Sequence, residues 1–433
     1  MFKKLNDMFE IQELKQRILF TIALLIVYRI GSHITTPGVN VAALAEFFQS
    51  GGGGVLGLYD FFVGGNLANA TIFALGIMPY ISMSIILQLM QPVIPYLERL
   101  SKEGEEGRRK INQYTRYGTV ALSLMQSVGI AIFLEQLGVV ANPGMAFKLL
   151  TMITMTAGTI FVMWLGEQIT ERGIGNGISL IIFIGIVARY PTDLINTIRS
   201  VFVANTLNPF VAMFLLAIMI AVVMLTVLIT QGQRRIPVQY ARRIIGRKML
   251  SGRTTHLPLR INTAGVIPII FAQSIIMLPS SYAALRRDSE FAQEMAYFMR
   301  PGGLVYIILY GLIVLFFAYF YTAVVFNPMD VAENMRKNGG FIPGIRPGKK
   351  TAEFIDKVLS RITFPGGIFL AFIAILPDVL IRKANVPFYF GGTGLLIVVG
   401  VALDTLQQIE SHLLMRHYDG FLKRGRLRGR SGF

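Results

Sequence analysis

The sequence predicts an all-α integral membrane protein with ten transmembrane helices. Three observations carry that prediction. The chain is 53% hydrophobic and only 15% charged, with a mean hydropathy of +0.57, whereas a soluble domain carries about 25% charged residues. Ten apolar runs reach the roughly 20 residues that a spanning helix needs. Finally, Lys and Arg crowd into alternate loops, as the positive-inside rule requires of a polytopic protein.

Taken in order, the predicted spans are 17–36, 70–97, 114–137, 147–170, 178–198, 209–230, 264–285, 303–326, 364–384 and 390–412. The first follows a basic leader, MFKKLNDMFEIQELKQR. No small-residue cleavage site comes after it, so it is read as an uncleaved span. The second contains Pro79, Pro92 and Pro95, which kink a membrane helix without forbidding it. Five spans lie on each side of the short loop 199–208. An odd number per half predicts two pseudo-symmetric inverted halves. The expected divisions are 1–205, 206–412 and a basic tail, 413–433.

Charge fixes the orientation. With the N-terminus in the cytoplasm, 32 of the 41 Lys and Arg fall on that side. Eight lie between Arg234 and Arg260, seven between Arg336 and Arg361, and six between Arg416 and Arg430. Both termini are therefore expected inside. The net charge of +17 favours anionic lipid headgroups, acidic partners or RNA.

Three loops carry more than connection. Residues 231–263 alternate apolar and polar positions through IPVQYA and THLPLRI about a central Gly-Arg, the pattern of a β-hairpin. Residues 327–362 read as helix, Gly/Pro-rich tip, helix. In the first external loop, Gly51–Gly54 has hinge composition. The apolar stretch Val55–Leu67 beyond it is too short to span. It is expected either to lie at the interface or to fold back into a protein cavity, where non-spanning backbone is tolerated at membrane depth.

Several function classes are excluded. The chain has no Cys, which rules out disulfides and thiolate metal sites. His33, His256, His412 and His417 have no metal-ligand spacing. RGIGNG (172–177) joins two membrane helices and lacks the strand a phosphate cradle needs. The span centres are nearly free of the carboxylates that pumps and secondary transporters use. Glu167, Asp378, Asp404 and Glu410 lie near span ends. No catalytic residues, cofactor or enzyme activity is expected. The polar residues within spans include Gln88, Gln126, Gln273 and Ser274. They predict hydrogen bonds across helix interfaces or a seam that opens. A pore or a scaffold remains, with a secondary transporter of small molecules as the alternative.

The motifs IFALGIMPYIS (72–82), SKEGEEGRRKINQYTR (101–116), ERGIGNGISLIIF (171–183), NTAGVIP (262–268), GGFIPGIRPGKKT (339–351) and GTGLLIVVGVALDT (392–405) closely resemble the bacterial SecY family. That family forms the central subunit of the protein-conducting channel of the plasma (inner) membrane.

The resemblance implies two halves around a central pore that opens sideways between spans 2 and 7. It implies SecE and SecG as companion subunits, and signal peptides and nascent chains as cargo. The stretch around Leu58, Tyr59, Asp60, Phe61, Phe62, Val63, Gly64 and Gly65 maps to the family's plug. The pore ring maps to Ile77, Ile81, Ile178, Ile182, Ile270 and Ile397. Such a ring is a compliant apolar constriction that resists wetting. Gln88, Gln126, Gln273 and Ser274 are the lateral-gate candidates. The basic loops would dock the SecA motor or the ribosome. Arg242, Arg243, Arg247 and Lys248 suit rRNA phosphates, and Arg346 matches the family's arginine for motor-driven transport.

Overall fold

The computed structural model describes residues 11–49, 54–202, 208–240, 243–245, 248–250, 254–262, 265–285, 290, 294, 298, 303–384 and 393–424. It divides into two compact units, residues 1–194 with 401–433 and residues 195–400. All ten expected spans contain helix. Among the described residues, seven helical stretches are long and apolar enough to cross a membrane, counting 177–202 as one, and a bent pair makes an eighth. The other two expected spans fall on shorter or more charged helices, at 12–31 and 267–285.

The first unit opens with α1 (Gln12–Gly31), α2 (Val41–Gln49) and α3 (Gly54–Val63). α4 (Met78–Met90) and α5 (Pro95–Lys102) follow, bent by 99° at the intervening break. The second span is thus kinked where its prolines predict, but its helices cover only 78–90 and 95–102 of the expected 70–97 and beyond. Residues 66–70 and 72–77 form turns, with Ala70 at φ 43° and Gly76 at φ 54°, and the helix starts only where Pro79 fits its first turn. The bend beyond Met90 is bracketed by Pro92 and Pro95, each lacking a backbone donor.

α6 (Glu105–Gln136) packs on α7 (Met145–Arg172). α6 buries Thr115, Thr119, Ser123 and Ser127 at four-residue spacing, a stripe of small side chains of the kind that lets helices approach closely. Their hydroxyls bond to α6's own carbonyls. The fifth span is broken into α8 (Gly177–Val187) and α9 (Tyr190–Phe202). Asn176 caps α8 by accepting from the Ile178 and Ser179 N–H groups. The RGIGNG turn before it is tied down as a connector. Thr21 accepts from the Ile174 N–H, Thr170 from the Gly177 N–H and Gln408 from the Gly175 N–H.

The second unit holds α10 (Pro209–Gln231), β1 (Gln233–Tyr240), β2 (Arg243–Ile245), β3 (Lys248–Leu250) and β4 (Thr254–Arg260). α11 (Ile267–Leu285), α12 (Leu304–Val325), α13 (Pro328–Lys337), β5 (Gly340–Phe341) and α14 (Lys349–Ala384) complete it, and α15 (Thr393–Arg424) begins there. Asn208 and Asn327 cap α10 and α13 through the Phe210 and Met329 N–H groups. An aromatic cluster joins α11 to α12, with Phe271 edge-on to Phe317 at 5.4 Å.

The expected hairpin is present. β1 pairs antiparallel with β4, from Gln233 opposite Arg260 to Gln239 opposite Thr254. A smaller hairpin pairs β2 with β3. The sequence did not show that β5, in the next loop, adds to the free edge of β1 through Gln239–Phe341 and Tyr240–Gly340. The two basic loops are therefore one folded module. Its core is Ile236, Val238, Leu259, Met335, Ile342 and Ile355. Alternation along β1 turns Ile236 and Val238 inward. Ile355 is fully buried, so Ile355→Ala is expected to destabilise the module by about 2–5 kcal/mol. Faster proteolysis of residues 231–263 in detergent, with the spanning helices intact, would show it.

Candidate functional site

The non-spanning stretch folds back into the protein. α3 packs on α8, and Asp60, Phe61, Phe62 and Val63 are buried, as are Asn66 and Leu67 in the turn that follows. Of the two sequence expectations, the protein-embedded one describes α3. The backbone of Leu58 is described but its side chain is not.

Polar contacts seat this segment. Tyr59 Oη donates to the Leu75 carbonyl at 2.9 Å. Asn66 Nδ2 donates to the Val63 carbonyl at 2.7 Å and to Tyr28 Oη at 3.2 Å. Gly64 has a φ of 78°, and a Cβ there would stand 2.7 Å from the Gly185 Cα. Only glycine fits both that dihedral and that approach. Gly65 N–H donates to the Asp60 carbonyl at 2.8 Å. Leu67 belongs to a larger core with Leu44, Leu75, Phe133, Leu134 and Met155.

One carboxylate organises the turn. Asp60 Oδ1 accepts from the Leu67 and Ala68 N–H groups, both at 2.9 Å. Asp60 Oδ2 meets Arg189 Nη1 at 3.0 Å. Burial pushes this carboxyl up from its ordinary value, against the pull of the guanidinium and the two N–H groups. Arg189 lies at the break between α8 and α9, with its guanidinium 5.7 Å from the Phe61 ring centre. Sequence reasoning missed this pair. The signal was available, because Asp60 is a lone acid in an apolar stretch and Arg189 a lone cation within a span.

The six isoleucines lie near the N-terminal ends of four helices. Ile77 is buried at the start of α4 and Ile81 half-buried one turn on. Ile178 and Ile182 open α8, with Ile178 against Gly166 of α7. In the second unit Ile270 is half-buried on α11 and Ile397 is buried on α15.

The polar span residues divide. Gln88 donates to Ser84 Oγ at 3.2 Å, and Ser274 donates to the Ile270 carbonyl at 2.9 Å. Gln126 Oε1 and Gln273 Nε2 are buried with no hydrogen-bond partner among the described residues. An unpaired buried amide costs about 1–3 kcal/mol. Of the other in-span charges, Glu167 of α7 pairs with Arg116 of α6 at 2.8 Å. The Asp378 side chain lies outside the described residues.

In the basic module, Arg346 is exposed on the tip between β5 and α14. Arg243 and Lys248 occupy β2 and β3, where only the backbone is described. Arg242 and Arg247 lie outside the described residues.

Residues 71–406 match the SecY family. The chain belongs to that family. It is 46% identical over 431 residues to the protein translocase subunit SecY of Aquifex aeolicus, covering 98% of this chain and all of the relative. It is 47% identical to the SecY subunit of Escherichia coli K12 over 425 residues, covering 96% of each. Among solved structures, a protein-conducting channel superposes with a TM-score of 0.63 at 18% identity, covering 96% of this chain and 95% of that one. Sec61 from a canine ribosome-channel complex superposes at 0.59 and 17% identity, with the same coverage. These structures share the fold. The protein is a multi-pass membrane protein of the SecY family, with that family's ten-helix architecture.

Proposed function

We propose that this chain is the channel subunit of a bacterial protein translocase. It passes unfolded secretory polypeptides across the plasma (inner) membrane and releases membrane segments sideways into it. The observation that carries this is the family match over residues 71–406, together with near-full-length relatives named protein translocase subunits. The chain hydrolyses nothing itself; a bound motor or chain synthesis supplies the energy. Those relatives give no support to a secondary transporter.

In this reading the two halves, 1–205 and 206–412, enclose a pore ringed by Ile77, Ile81, Ile178, Ile182, Ile270 and Ile397. α3 and its turn are the plug. The gate lies between the second and seventh spans. Both termini are cytoplasmic, and the basic module faces the same side. There it docks SecA or a ribosome; a SecY-fold neighbour, the yeast Ssh1 complex, was solved bound to the 80S ribosome. SecE, SecG and anionic lipids complete the assembly.

The test is reconstitution in vesicles with SecE and SecG partners, SecA, ATP and a preprotein. ATP-dependent protection of the preprotein from external protease is expected. Equal protection with and without the chain would sink the proposal.

A further inference from the structure

We propose that Asp60 and Arg189 form an ionic latch that holds the plug on the fifth span in the closed channel. The inference rests on reading α3 as the plug and adds the residue pair that keeps it seated. Three observations support it. The Asp60 side chain is 5% exposed and its Oδ2 lies 3.0 Å from Arg189 Nη1. The two groups stand 129 residues apart in the chain, so the bridge links separate elements rather than neighbours on one helix. Arg189 also reaches the Phe61 ring of the same α3, so one guanidinium grips the plug by charge and by ring face.

The carboxylate divides its labour. Oδ1 closes the turn after α3 through the Leu67 and Ala68 N–H groups, and Oδ2 is left for the latch. Arg189 is 32% exposed while Asp60 is sealed. When the plug leaves, both charges regain water. The pair therefore weights the closed state against the open one more than it weights folding itself. Loss of one partner is costly because it strands the other charge, whereas loss of both leaves no stranded charge.

That asymmetry gives the test, which reads ion conductance of the reconstituted complex in planar bilayers without substrate. Asp60→Asn keeps an acceptor for the turn and loses the charge; it is expected to raise the open fraction about tenfold. Arg189→Met should act similarly from the other side, and Arg189→Lys should stay tight. The double variant Asp60→Asn with Arg189→Met should leak less than either single one, the coupling in conductance that two mutually paired charges produce. A channel lacking residues 57–67 serves as reference. If it leaks while Asp60→Asn and Arg189→Met stay tight, the latch is wrong and the plug reading stands. If it too stays tight, the plug reading fails first. Equal leakage from Arg189→Met and Arg189→Lys would likewise overturn the latch, because the charge would then hold nothing.

Discussion

Deleting residues 57–67 is expected to turn a sealed membrane protein into an ion leak. The deletion removes Phe61, Phe62, Val63 and Leu67, all buried. Burying such side chains contributes about 1.5–3 kcal/mol each. Their sum exceeds the roughly 5.5 kcal/mol that separates a gate open 1% of the time from one open 99% of the time. Removing the segment therefore moves the channel across most of its gating range. The rest of the external loop stays anchored. Thr36 N–H still donates to the Ala70 carbonyl at 2.7 Å, and Ile72 N–H to the Ile34 carbonyl at 2.9 Å. The variant should fold, insert and still transport preprotein, while single-channel recordings show frequent openings in the absence of substrate. Conductance equal to that of the intact channel would refute the plug.

What the sequence disclosed followed local periodicity. The alternation in IPVQYA and THLPLRI specified the β1–β4 hairpin, because strand faces repeat every two residues. The length of Val55–Leu67 marked a segment that could not span and left it two places, the interface or a protein cavity. Its burial among the helices shows the second. The unforeseen features depend on distant partners or on backbone choices that apolar runs do not encode. Ala70 takes a φ of 43° although its neighbours read as helix, so α4 starts late. β5 is only two residues long, and its pairing with β1 is visible only once both loops are folded. Asp60 and Arg189 carry opposite charge in two apolar stretches, yet nothing local tells one of the other. Such pairs are found by asking, for each lone charge in an apolar stretch, what could neutralise it.

Arg346→Glu is expected to abolish motor-driven transport with the fold intact. The residue sits on a tip whose backbone is fixed from several directions. β5 pairs with β1 on one side, and Ile342 is buried in the module core with Ile345 packed against it. Ile345 N–H donates to the Ile342 carbonyl at 3.1 Å, and Thr351 Oγ1 to the Arg346 carbonyl at 2.9 Å. Gly344 and Gly348 take φ values of 81° and 97°, which turn the chain sharply enough to leave Arg346 exposed at the apex. A rigid tip loses little entropy on docking, so its charge acts at full strength. Reversing that charge replaces attraction by like-charge repulsion, worth several kcal/mol at an interface, or on the order of hundredfold in affinity. An exposed substitution of this kind changes stability by no more than about 0.5 kcal/mol. The thermal midpoint in detergent should hold while ATP-dependent preprotein uptake collapses. Arg346→Lys should fall between the two, because it keeps the charge and loses the planar fork. Uptake at the parent rate by the Glu variant would remove Arg346 from the docking site and leave the hairpin arginines to carry it.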